Sequence, residues 1–157
     1  MKKIIIAIII ALTAAISAIA RNDQPVFKDV ATIPGVTYSY ISPSMLATMG
    51  NRTINTKSIR ISASELSSIE SIRINGTTDP VQQAMGIVKK IIKKEKLETL
   101  ATKSNGATGS STSVFGRTMK GGKHLSHLLM LESSSSGTIN ITYLTGKISF
   151  NFNDLNF

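Results

Sequence analysis

The stretch Asp79-Pro80-Val81-Gln82-Gln83-Ala84-Met85-Gly86-Ile87-Val88-Lys89-Lys90-Ile91-Ile92-Lys93-Lys94-Glu95-Lys96 decides the fold. Asp79 is placed to cap a helix, Pro80 to take its first helical position, and Gln82 to complete a capping box three residues after the cap. Val81, Ala84, Met85, Val88, Ile91 and Ile92 recur at three-and-four spacing, so they form one apolar stripe with Met85 and Val88 in the core. Lys89, Lys90, Lys93, Lys94 and Lys96 lie away from that stripe. A helix with one apolar side needs an apolar surface to cover, and the remaining chain supplies strands.

Downstream, the pattern changes from a helical to a two-residue period. Segments 97–103, 112–119, 125–132 and 138–150 are separated by Asn105-Gly106, Gly121-Gly122 and the tract from Ser133 to Gly137, each suited to a hairpin loop. Short polar connections between consecutive strands predict an antiparallel meander. Upstream, Val36 to Ile41 alternates as a strand, with Val36, Tyr38 and Tyr40 on one face. Ser42 and Pro43 then start a short helix that Gly50 stops. Residues 51–57 read as loop, Ile59 and Ile61 as a brief strand, Ser62 to Leu66 as a helical turn, and Ser68 to Asn75 as a second good strand. The predicted class is α+β: two layers, a mainly antiparallel sheet covered on one face by one long and one short helix.

The N-terminus reads as a secretory signal over residues 1–20. Lys2 and Lys3 precede an apolar run from Ile4 to Ile16, and Ala18-Ile19-Ala20 offers small residues for cleavage before Arg21. Residues 21–34 form an irregular lead-in, and 35–157 a single domain. Removing 20 of 157 residues leaves 137, a common size for one domain. The chain contains no cysteine. An exported domain of this composition has no disulfide to hold it, no lipid anchor through cysteine and no thiolate chemistry, so its apolar core must carry its stability. The precursor carries +9, and loss of Lys2 and Lys3 leaves 16 basic against 9 acidic residues, or +7. Such a charge favours anionic surfaces. With no tryptophan and few aromatics, stacking platforms for single-stranded nucleic acid are poorly supplied, and no specific nucleic-acid partner is expected.

The segments PGVTYSYISPSML at 34–46, LSSIESIRI at 66–74, KHLSHLLML at 123–131 and GTINITYLTGKIS at 137–149 resemble a family of small exported proteins from Bacteroidetes-type bacteria, domain of unknown function 4252. The resemblance covers nearly all of the mature chain. It implies a Gram-negative envelope or secreted setting, periplasmic or extracellular, and transfers no catalytic residue. Some similar proteins look like lipoproteins; this chain departs from them in lacking a cysteine at the cleavage site.

Catalytic constellations are weak. His124 and His127 are the only histidines, and on a strand residues three apart point to opposite faces, so a shared metal site is not expected. No Gly-x-Ser-x-Gly elbow occurs, and a histidine-assisted hydrolase would have to join His124 or His127 to an acid such as Glu132 or Asp154. Gly106 to Gly109 leads into a strand rather than a helix, unlike a phosphate-cradling loop. No cofactor is indicated. The expectation is a non-enzymatic envelope binding module, with Lys89, Lys90, Lys93, Lys94 and Lys96 as its candidate surface for an anionic partner or another envelope protein. A hydrolase with an unrecognised Ser/His site is the alternative.

Overall fold

The computed structural model describes residues 24–55, 60–75 and 78–149; the segment read as a secretory signal, Ile59 of the expected brief strand, and Asp154 lie outside the described residues. In chain order the elements are a 3-10 turn (Lys28–Thr32), β1 (Val36–Ile41), α1 (Pro43–Met49), β2 (Thr53–Asn55), β3 (Arg60–Ser62), a second 3-10 turn (Ala63–Glu65), β4 (Leu66–Ile74), α2 (Thr78–Lys94), β5 (Glu98–Asn105), β6 (Ser110–Thr118), β7 (Leu125–Ser133) and β8 (Ile139–Ile148). Six strands form one antiparallel sheet in the order β1-β4-β8-β7-β6-β5, and β2 pairs with β3 in a separate hairpin. The expected α+β class is observed, and the meander from β5 to β8 is continuous in space. The long-range step is β8 beside β4, with Ile72 opposite Ile141 and Ile74 opposite Ile139. Because β4 and β5 are separated by three strands, α2 spans the sheet between them.

Local signals explain the element ends. The Ser42 hydroxyl accepts the Met45 N–H, Pro43 opens α1, and Gly50, with φ +58°, closes it in a conformation that favours glycine. Helix α2 begins at Thr78, so Asp79 lies in its first turn rather than at its cap, where its charge still complements the dipole. The expected loop after α1 contains β2, which the partner strand β3 organises.

The sheet has two buried faces. On one, Ala84, Val88 and Ile91 of α2 pack with Ile72, Ile74, Leu129, Ile141 and Tyr143, while Val81, Ile87 and Ile92 flank them. Ile87 therefore joins the expected stripe, and Met85 is left half-buried at its margin. On the other face, Leu46 of α1 and Ile61 of β3 pack against Leu66, Ile69, Val114, Leu128, Met130 and Leu144. The two helices, expected on one face, are thus divided between both. Alternation along β4 causes the division: Ile69 points to α1 while Ile72 and Ile74 point to α2, and each apolar set must be kept from water.

The lead-in also contributes core. Phe27, Val30 and Ile33 are buried on the α2 side, and the Phe27 ring meets Tyr143 edge-on at 5.4 Å between centroids. Its anchor is Glu70, 1% exposed, whose carboxylate accepts the Val26 and Phe27 N–H groups and the Tyr38 hydroxyl, each at 2.8 Å. Burial, the hydrogen bond to Glu70 and that carboxylate's charge push the Tyr38 hydroxyl pKa well up. The Tyr143 hydroxyl is buried with no hydrogen-bond partner among the described residues.

Substitutions on the two sides of α2 are expected to act in opposite directions. Val88 is fully buried, so Val88→Asp should abolish cooperative unfolding by placing an unpaired charge in the core. Gly86 is exposed with open space where a Cβ would stand, so Gly86→Ala should add about 0.5–1 kcal/mol in urea denaturation. In the same assay Glu70→Gln should cost about 2–3 kcal/mol, because its amide NH2 faces a donor, whereas Tyr143→Phe should add about 1 kcal/mol by deleting an unpaired hydroxyl.

Candidate functional site

Three surface features hold the polar chemistry, and the first is the outer side of α2. Lys89, Lys90, Lys93 and Lys94 are exposed on one broad face of the helix, and exposed Lys96 follows its end. None of the five ammonium groups has an ion pair or hydrogen-bond partner among the described residues. The one acid in the last turns, Glu95, turns away toward Arg117 and His127. The helix ends in a Schellman arrangement: Leu97 N–H donates to the Ile92 carbonyl at 2.9 Å, and Lys96 N–H to that of Lys93 at 3.3 Å. This places Lys96 at φ +52°, where glycine is the usual residue and a side chain costs about 1–2 kcal/mol.

The second feature is the pair of histidines, each of which meets a serine in a wiring unlike that of a hydrolase. Arg117 has only donors, so His127 Nε2 accepts from its Nη2 at 3.2 Å and the ring proton sits on Nδ1, which donates to Ser126 Oγ at 2.8 Å. The Ser126 hydroxyl donates to the Arg117 carbonyl at 3.1 Å and accepts from Arg117 Nε at 3.2 Å. A base that activates serine must present a bare nitrogen to it; here that nitrogen is protonated. Arg117 also donates from Nη1 to the Glu95 carbonyl at 3.1 Å, and its guanidinium and His127 lie 3.6 and 3.8 Å from the Glu95 carboxylate. The cluster ties β6 and β7 to the end of α2. Burial, then the Arg117 charge, lowers the His127 pKa below its ordinary value, with Glu95 opposing.

At the neighbouring strand ends, Ser149 Oγ donates to Glu65 Oε1 at 2.9 Å and lies 3.4 Å from His124 Nδ1. Serine stands between imidazole and carboxylate, so its proton points to Glu65 and not to the histidine. The two histidines belong to separate groupings, and neither grouping draws in Glu132, the acid considered from sequence. Among the described residues no three His, Cys, Asp or Glu side chains gather to hold a metal.

The third feature, not singled out from sequence, is an open groove of about 380 Å³ on the sheet face away from α2. Its walls include Arg73 of β4, Asn140 and Thr142 of β8, and Ser134 and Ser136 of the β7–β8 loop, over buried Met130. The alternation Ile72-Arg73-Ile74 points Arg73 to this face, but only the pairing of β4 with β8 assembles the groove.

A family model described as Domain of unknown function (DUF4252) matches residues 31–156. No curated protein and no solved structure matches the chain. Among the described residues no helix is long and apolar enough to cross a membrane.

The His127 environment gives a signed pH effect. The unfolded chain protonates this histidine more readily than the folded one, so stability should fall as pH drops through about 6.5 toward the lower folded value. Urea midpoints between about pH 7.5 and about pH 5.5 should show a steeper acid-side loss in the wild type than in His127→Gln, which cannot titrate. Identical slopes would contradict the assigned neutral, hydrogen-bonded state.

Proposed function

The chain belongs to the domain of unknown function 4252 family, whose description carries no activity, and on that premise we propose an exported, non-enzymatic binding domain of the cell envelope that docks through the lysine side of α2 onto an anionic lipid surface. Export rests on the n-region, apolar run and small-residue cleavage site within residues 1–20. The sequence contains no cysteine, so attachment through a lipidated cysteine is not available to it, and charge attraction supplies the contact.

The observation that carries this reading is the set of exposed, unpaired ammonium groups of Lys89, Lys90, Lys93, Lys94 and Lys96. Most of them occupy a convex helix face, which suits an extended anionic surface rather than a small ligand. Gln82, Gln83 and Gly86 complete that face without apolar side chains, so the contact is adsorption rather than insertion. Lys96 adds a second reason. A lysine in a left-handed position favoured by glycine sacrifices stability while extending the cationic array.

Co-sedimentation with vesicles containing phosphatidylglycerol should show binding that weakens with salt, while neutral phosphatidylcholine vesicles should bind little. At about 1 kcal/mol per lysine, changing Lys89, Lys93 and Lys94 together to Gln should weaken binding at least tenfold. Lys96→Gly should raise stability by about 1 kcal/mol and weaken vesicle binding. Unaltered binding by the triple variant would refute the proposal.

A further inference from the structure

The half of the sheet face that α1 and the β2–β3 hairpin leave uncovered carries polar groups in register. Arg73 stands directly opposite Asn140, and Ser71 opposite Thr142, on the paired strands β4 and β8. Arg73 is exposed, Asn140 and Thr142 are half-buried, and the side chains of all three have no hydrogen-bond or ionic partner among the described residues. Glu132, across Asn140 on β7, also lines the groove and has an interaction of its own, and among the described residues Arg73 is the one cation on the groove's walls. On the rim, the Ser134 and Ser136 hydroxyls share a hydrogen bond at 2.7 Å, which holds the β7–β8 loop beside the groove. Met130, 3% exposed, forms an apolar floor.

We propose that this groove binds a small hydroxylated carboxylate, the chemistry of a uronic acid residue, with the Arg73 guanidinium holding the carboxylate. The guanidinium is a planar fork that matches a carboxylate through two parallel N–H···O bonds. Asn140 and Thr142 each offer both a donor and an acceptor, the complement of a ligand carrying several hydroxyls. The Met130 floor accepts the C–H side of such a ring. A volume of about 380 Å³ is at the small end of ligand sites, enough for one sugar-sized unit. With Glu132 also on the wall, Arg73 can offset no more than one further negative charge, which favours a monoanionic carboxylate over a phosphate dianion. The groove lies on the sheet face opposite α2, so its occupancy is independent of the lysine side and of the lipid-docking reading.

The test is a titration of the ¹⁵N-labelled domain with sodium glucuronate, with glucose and inorganic phosphate as separate arms. Glucuronate should give saturable shifts of the Arg73 Nε–H and the Asn140 side-chain amide, with glucose at least tenfold weaker. Arg73→Gln should weaken the glucuronate response at least tenfold while leaving the melting temperature unchanged, since Arg73 is exposed and unpaired. Lys89→Gln/Lys93→Gln/Lys94→Gln should leave the response intact. The proposal is overturned if glucuronate gives no saturable shift at these groups, if glucose matches it, if Arg73→Gln binds as well as wild type, or if the lysine variant abolishes the response. Phosphate binding as tight as glucuronate would overturn the carboxylate assignment.

Discussion

The carboxylate of Glu70 is buried, and it is tolerable there because three donors from two separate segments converge on it. A charge removed from water without such partners would favour opening the structure. Its partners are the Val26 and Phe27 amides and the Tyr38 hydroxyl, so one side chain of β4 ties the lead-in to β1. The lead-in then places Phe27 against Tyr143 and brings Val30 and Ile33 into the core shared with α2. A cysteine-free chain achieves with this clamp a closure that small exported domains often obtain from a disulfide.

With that side sealed, the polar surfaces follow from how the two sheet faces are covered. Helix α2 turns Ala84, Val88 and Ile91 inward and leaves its lysines outward. The opposite face is covered by shorter pieces, α1 and the hairpin, which reach the apolar half around Leu46, Ile61 and Val114. Beyond them the strands present Arg73, Asn140 and Thr142, and the groove occupies that half. Gly146 shows how tightly the covered half is built: its φ of +148° and the backbone of Glu65 and Leu66 against it leave no room for a Cβ, at the point where the β4–β8 register shifts.

The histidine groupings show why residue types alone are a poor guide to chemistry. Ser126, His127 and Glu95 have the composition of a hydrolytic triad, yet Arg117 fixes the tautomer that prevents proton transfer from the serine. The cluster's contacts join β6 to β7 and, through Glu95, both strands to the end of α2. Lys89, Lys90, Lys93, Lys94 and Lys96 differ in kind, because among the described residues their ammonium groups have no partner.

Elements governed by nearest neighbours along the chain were legible from the residues. Ser42, Pro43 and Gly50 bound α1, the two-residue period marks the strands, and the Asn105-Gly106 and Gly121-Gly122 loops dictate the meander, because capping and turn geometry are settled within a few residues. The exposure of the lysines was equally legible, since a helical period places them opposite the apolar stripe. Only the tertiary structure decided that β8 lies beside β4, that the helices take opposite faces, that Ile87 replaces Met85 in the packed stripe, and that Arg73 meets Asn140. These outcomes depend on contacts between residues distant in sequence, such as Glu70 with Val26, and are selected by burying both sheet faces at once. Local periodicity states which side of an element is apolar; it does not state which other element will cover it.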